Sequence, residues 1–405
     1  MAQHGRSVVD RIRKFNAGRD PARLALKYRA MRASPFAFLR ASCQLFYDEL
    51  ALASLPADAP LVWACGDLHL ENFGSYKGDN GLVYFDLNDF DEAALAPCTW
   101  DLARLLVSVL VAARTLGVDA PEGLHLCHEF IDAYAAALLT GKARWVERET
   151  AQGMVRELLD NPRMRNRAQF LDRRTERAGR HRRIRIDGKK ALGVDAAQRK
   201  RIETFMRAFA ATQPKPGFYR LLDVARRIAG SGSLGVKRFV LLVEGKGSPD
   251  ANYLLDLKQA LPSALAARVQ TSQPRWDNEA QRIVSLQQRV QAISPAFLHA
   301  VTIGGVAYVL KGLQPSEDRV ALDPGHGHFD RLHGLMSTLA EIVAWGELRS
   351  AGRQGSASAD ELIAFAGQKR WKAAMIVLAR GSEKQVDRDW REFCTAYDDK
   401  AFPGA

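Results

Sequence analysis

Asp67, His69 and Asn72 fall within one short stretch, Cys65-Gly66-Asp67-Leu68-His69-Leu70-Glu71-Asn72-Phe73-Gly74, directly after the apolar run Leu61-Val62-Trp63-Ala64. A second run, Leu82-Val83-Tyr84-Phe85-Asp86-Leu87, leads into Asn88, Asp89, Asp91 and Glu92. Carboxylate and amide oxygens are the hard ligands that magnesium prefers. Two strands that end in such side chains suit a site holding a divalent cation against a phosphate. Kinase-type phosphoryl transfer needs an Asp to orient or deprotonate the acceptor, an Asn five positions later for metal, and a further metal-binding Asp beyond a hairpin. Asp67 and Asn72 have that separation, and Lys77-Gly78-Asp79-Asn80-Gly81 reads as the hairpin turn.

A second group of candidates lies far downstream. Asp223 to Ala229 reads as a strand leading into Gly230-Ser231-Gly232-Ser233-Leu234-Gly235, and Val236 to Val243 reads as the next strand. After the turn Gly245–Pro249 comes a third, Tyr253-Leu254-Leu255-Asp256-Leu257-Lys258. Glycines let backbone approach phosphate without a clash, and a Lys on the third strand reaches α- and β-phosphate oxygens. The strand on either side of this G-x-G-x-x-G distinguishes it from a dinucleotide fingerprint, which opens a helix. Glu279, on the helix expected between Trp276 and Ile293, is placed to pair with Lys258 or else to be an ordinary surface Glu.

The elements that must position these residues follow from periodicity. Residues 1–55 read as basic helices, with Pro21 opening the second and Ser34-Pro35 breaking it; Arg32, Ser34 and Arg40 are further phosphate-facing candidates. A long apolar helix starts near Pro97 and carries Asp101 in its first turn, where it caps or complements the helix dipole. Helices are expected to about residue 215, two strands around Gly304-Gly305, and helices over 328–350 and 360–398. Arg163 to Lys190 carries ten arginines against Asp172, Glu176 and Asp187 and reads as a solvated basic loop, or else as a surface for an acidic substrate or a nucleic-acid backbone.

Composition bounds the class. With 405 residues, 47% hydrophobic and 26% charged, the chain buries a sizeable core, in two lobes or domains. A formal charge of +12 favours anionic partners. Five scattered cysteines with no C-x-x-C pair argue against a disulfide framework or zinc knuckle, and the N-terminus lacks the apolar segment of a signal peptide, so a cytoplasmic protein with no membrane span is expected.

Taken together, Ser34 to Arg40, Cys65 to Gly74, Tyr84 to Ala93 and Trp100 to Leu106 resemble a bacterial family known as domain of unknown function 2252. The same stretches are similar to the aminoglycoside- and choline-kinase branch of the protein-kinase-like fold. That resemblance implies Asp67 as catalytic Asp, Asn72 as a metal ligand, and a metal-binding Asp at the second strand end; Asp89 has the matching following sequence, with Asp86 the alternative. It implies an α+β, two-lobed fold using ATP and magnesium. The order of the parts is reversed relative to a kinase, so the chain is expected to be circularly permuted. Residues 1–215 would form a helical large lobe with the catalytic loop and metal-binding hairpin, 216–315 the small β lobe with Gly230, Gly232, Gly235 and Lys258, and 316–405 the helices completing the large lobe. The expected activity is an ATP- and magnesium-dependent phosphotransferase acting on a hydroxyl-bearing or acidic acceptor. Two other readings stand beside it. One is a metal-dependent phosphoesterase built on Asp67 and His69 with Gly325-His326-Gly327-His328; the other is a non-catalytic nucleotide- or nucleic-acid-binding regulator using Arg163–Lys190.

Overall fold

Prolines and short polar caps set the first helices of the computed structural model, which describes residues 7–161, 167–230, 232–313, 319–320 and 329–402. Ser7 caps Val8–Phe15, Asp20 caps Pro21–Ala33 and Ser34 caps Pro35–Ala41, each accepting a backbone N–H in the first turn. In the last two, Pro at the first helical position removes an N–H that would have no partner there. The resulting architecture is α+β, with antiparallel sheets.

The helix Thr99–Ala113 is buried along its whole length, so other elements must surround it, and its one polar stripe, Asp101, Arg104 and Ser108, bonds the loop 65–70. Helices Ala120–Leu139, Phe329–Ser350 and Arg370–Asp398 share its core, as do the first helices of the chain. The two ends of the chain meet. Val8 N–H donates to Glu392 at 2.9 Å, Trp390 Nε1 donates to the Met31 carbonyl, and the Tyr28 ring packs 4.6 Å from Phe402. Against this core lie the ribbon Leu61–Ala64 with Ala94–Pro97 and the hairpin Phe73–Lys77 with Val83–Leu87.

A six-stranded antiparallel sheet forms the second layer, in the spatial order His299–Ile303, Val306–Gly312, Tyr253–Gln259, Arg238–Val243, Leu221–Arg227, Ala191–Leu192. The helix Glu279–Val290 connects the third and fourth strands of the downstream set, between Tyr253–Gln259 and His299–Ile303. One sheet face packs Val224, Phe239, Leu241 and Leu257 on helix Ala196–Ala211; the other packs Ala225, Val240 and Leu242 on Leu171 and Ile184. The apolar residues described between Leu171 and Ala210 therefore pack with the sheet.

The basic segment differs from expectation. Its described part is a short helix, Arg167–Asp172, and a hairpin, Thr175–Ala178 with His181–Ile184. Along the second strand, Arg182 and Ile184 point inward while His181 and Arg183 are exposed. Arg182 is wholly buried and bonds Asp172, Asp250 and the Pro249 carbonyl, so a charged residue occupies an inward position and hides the alternation. It is a structural strut rather than part of a nucleic-acid face. Arg163 and Arg165 lie outside the described residues. Among the described residues no helix is long and apolar enough to cross a membrane.

Candidate active site

The loop after Leu61–Ala64 is held by the start of the buried helix. Asp101 accepts the Cys65 N–H at 2.8 Å and the Gly66 N–H at 3.2 Å, so its role is to brace the loop. Gly66 has φ +67°, and a Cβ there would come within 2.4 Å of the Glu92 carbonyl oxygen, so only glycine lets the two loops touch. The next residue, Asp67, is itself left-handed at φ +45°, a conformation uncommon outside glycine. Its N–H donates to Tyr47 Oη at 2.5 Å. Arg104, wholly buried one turn beyond Asp101, donates through Nε and Nη2 to Asp67 Oδ1 at 3.0 and 2.7 Å. Burial raises the Asp67 pKa, and the Arg104 charge works against that rise.

Asn72 ties the two strand ends together. Its Oδ1 accepts the Asp89 N–H at 2.8 Å, and its Nδ2 points to the carbonyls of Asp67 and Asp89 at 3.4 and 3.3 Å. An amide oxygen has two lone pairs, so one stays available for a cation. Asp89 projects into open space, its side chain 58% exposed. Asp86 does not: it is buried, accepts the N–H groups of Leu87 and Ala292, and pairs with Arg349 at 3.3 Å. Of the two candidate aspartates, only Asp89 lines the cavity.

That cavity, about 790 Å³, is bounded by Asp67, Asn72, Asp89, Asp91 and Glu92 on one side. Gly230, Gly232 and Gly235, which line it from the sheet, are joined by Arg238 and Gln259. Lys258 reaches the same place. Its Nζ lies 3.7 Å from Asp89 Oδ2 and forms an ion pair with Asp91. Burial works against the Lys258 charge, but Asp89 and Asp91 outweigh it and raise its pKa. Desolvation by the surrounding cavity walls opposes ionisation of Asp89, yet Lys258 and Lys311 hold its pKa below the usual carboxylate range. Burial pushes the Glu92 carboxyl up to about 7, with Asp67 and Asp91 adding to the rise.

The glycine turn is tethered to the first helices through its carbonyls. Arg19 Nη1 and Lys27 Nζ donate to the Gly232 carbonyl at 3.0 and 3.2 Å, and the Asp20 N–H donates to the Gly235 carbonyl. Gly235 has φ +90° and lies so close to Arg19 that a Cβ would come within 2.8 Å of the arginine's own. Ser231, within the turn, lies outside the described residues.

The expected pairing of Glu279 with Lys258 is not formed. Glu279 caps its own helix electrostatically and pairs with Arg282 at 2.6 Å, because Lys258 already has Asp89 and Asp91 beside it. Arg282 does what was expected of Glu279 in another way. Nearly buried, it donates to the carbonyls of Asp91, Ala93 and Leu261, holding the acidic loop against the sheet. Of the earlier phosphate candidates, Arg40 lines the cavity and pairs with Glu71 at 2.6 Å; Arg32 pairs with Asp398 on the surface and Ser34 is a helix cap.

His69 is buried. Its Nδ1 accepts the Glu71 N–H at 3.1 Å, and burial together with Arg40 pushes its pKa well down, so the imidazole is neutral. Among the described residues no group of three or more His, Cys, Asp or Glu side chains is placed to hold a metal ion, and Gly325–His328 lies outside them. Sequence reasoning passed over Asp91, Glu92, Arg104 and Arg282 as site residues. The alternation Asp89-Phe90-Asp91, with Phe90 buried, carried a signal for the first of these.

The profile of one family, described as "Uncharacterized protein conserved in bacteria (DUF2252)", matches residues 19–396, and the chain belongs to that family. No curated protein and no solved structure matches it.

Proposed function

We propose that this family member is an ATP- and magnesium-dependent phosphotransferase of protein-kinase-like type, its parts arranged in circularly permuted order. The observation that carries the reading is the convergence of two distant segments on one cavity. Asp67, Asn72 and Asp89 come from the first and the glycine turn from the second, and Lys258 of the second pairs with Asp89 and Asp91, which line the cavity. The downstream segment supports the same reading by its order: strand, glycine turn, strand, strand bearing Lys258, then the helix Glu279–Val290. Termini that pack together make a permuted chain physically ordinary.

The donor set fits a magnesium ion. Asp89 offers an exposed carboxylate and Asn72 a remaining amide lone pair, both hard oxygen donors, and Lys258 supplies positive charge to Asp89 and Asp91. A bound magnesium–nucleotide complex would supply the transferable phosphoryl group and offset its charge. The protein's own contribution is positioning and electrostatics. Arg104 grips Asp67 through Oδ1 alone, which leaves Oδ2 to orient or deprotonate an acceptor hydroxyl. Arg19 and Lys27 neutralise the Gly232 carbonyl, so less negative charge from the turn opposes a phosphate. Lys258 and Arg238 add cationic charge on the sheet side.

Calorimetric titration of magnesium–ATP into wild type, Lys258→Ala and Asp89→Ala tests this. The affinity is expected to fall at least tenfold in each variant, and unchanged affinity in both overturns the reading.

A further inference from the structure

The cavity is also lined by arginines of which two, Arg23 and Arg226, have no part in the transfer chemistry. Arg23, in the first turn of Pro21–Ala33, lines the cavity and is only 4% exposed. Its Nη1 donates to the Val236 carbonyl at 3.2 Å, while its Nε and Nη2 are buried without a hydrogen-bond partner. Arg19 and Arg226 line the same cavity. The one carboxylate among them, Asp20, is occupied: it caps the helix by accepting the Arg23 N–H and takes the Arg226 guanidinium at 2.6 Å. Gln198, also lining the cavity, has a buried Oε1 with no partner.

A buried guanidinium with two idle donors is costly, since desolvation is not repaid by hydrogen bonds. Its neighbours add like charge, and the available carboxylate is spoken for. The arrangement is complete only when an anion with several acceptor oxygens fills it. A guanidinium fork matches phosphate geometry through paired N–H donors. Gln198 then offers an amide to a polar group beside the phosphate.

We propose that Arg23, supported by Arg19 and Arg226, forms a phosphate subsite of this cavity, separate from the Asp89–Lys258 station, and that it takes a phosphate monoester dianion. The phosphate belongs either to a phosphorylated acceptor or to the nucleotide itself. The subsite rests on Arg23 and stands whether or not the transfer reading holds; only its use by an acceptor depends on that reading.

The test is titration of inorganic phosphate into the full chain by calorimetry, with thermal denaturation in parallel. Wild type is expected to bind phosphate and to gain thermal stability from it. Arg23→Met is expected to lose at least tenfold in phosphate affinity, while Arg23→Lys keeps weakened binding through charge alone. Asp89→Asn is expected to retain phosphate binding, so failure of the metal station and failure of this subsite are read separately. In the absence of phosphate, Arg23→Met should melt no lower than wild type, an outcome that a purely structural arginine would not give. Should Arg23→Met not fold, Arg23→Lys and Arg226→Met carry the comparison. Titration repeated in saturating magnesium–ATP separates the sources: unchanged phosphate affinity assigns the subsite to the acceptor, and competition assigns it to the nucleotide. Absence of phosphate binding by wild type, or equal binding by the Arg23 variants, overturns the proposal.

Discussion

Lys258 Nζ stands 3.7 Å from Asp89 Oδ2, joining the third strand of the downstream sheet segment to the acidic loop that follows the early hairpin. With Asp91 also paired to this ammonium, one cation serves two carboxylates. Replacing Lys258 with Met leaves them facing each other with Lys311 and Arg238 as the remaining cations acting on Asp89. The variant is expected to lose roughly 1–3 kcal/mol of stability. Magnesium chloride should raise its melting temperature more than it raises that of wild type, because the carboxylates then lack their resident counter-charge. An equal shift in both proteins would rule out Asp89 and Asp91 as the cation site.

Asp67 and Arg104 make the next prediction. Arg104 is wholly buried, and truncating Asp67 strands its charge, whereas Asp67→Asn preserves shape and one acceptor oxygen. Asp67→Asn is expected to remain folded by circular dichroism and to lower phosphoryl transfer on the order of 10²–10⁴-fold. Arg104→Met leaves a buried carboxylate without its main partner and should cost about 3–5 kcal/mol in denaturant titration.

At Gly66 the added methyl of Ala would collide with the Glu92 backbone in a left-handed conformation. Gly66→Ala should destabilise by on the order of 2–4 kcal/mol and disturb both loops together. A change below about 0.5 kcal/mol would mean that the two loops do not touch as described.

Glu279 and Arg282 are expected to behave unequally. Glu279→Gln should leave magnesium–ATP affinity within about twofold, since the residue neighbours Arg282 and not Lys258. Arg282→Ala removes donors to the Asp91, Ala93 and Leu261 carbonyls, and should lower nucleotide affinity as well as stability. Calorimetry on the pair distinguishes them.

Glu347, on the helix Phe329–Ser350, is buried and accepts a hydrogen bond from Tyr134. Burial raises its carboxyl to about 8. The folded chain therefore keeps a proton that the unfolded chain releases near pH 4.5, and its contribution to stability declines as the pH rises from there to about 8. The slope is on the order of 1.4 kcal/mol per pH unit. Glu347→Gln should remove that share of the decline, as measured by urea midpoints across the same range.

The early part of the site was legible because its signal is local. The Asp67–Asn72 spacing and the hairpin depend on residues close in sequence, whereas the Asp101 brace joins distant positions and Asp101 read only as a helix cap or dipole complement. The glycine turn and Lys258 were legible as a strand pattern; the turn lines the cavity, and Lys258 pairs with Asp89 and Asp91, which line it too. Contacts between distant segments could not be read in this way. Nothing local to Asp86 says that Arg349 and the Ala292 N–H will claim it, and nothing near Glu279 says that Lys258 will already be paired. The hairpin Thr175–Ile184 was hidden because Arg182 occupies an inward position normally filled by an apolar side chain. Helix Ala196–Ala211 likewise shows an apolar stripe, but not which layer the stripe will meet.

The bonds from Arg19 and Lys27 to the Gly232 carbonyl bear on how molecules enter and leave. A flap moored at its tip by the opening helices of the chain does not swing as an independent loop. Each uncovering of that flank must also break the hydrogen bonds that Arg19 and Lys27 make to it, one from just before the helix Pro21–Ala33 and one from within it. Arg19, Asp20 and Lys27, remote in chain position from the glycine turn, thus hold it in place.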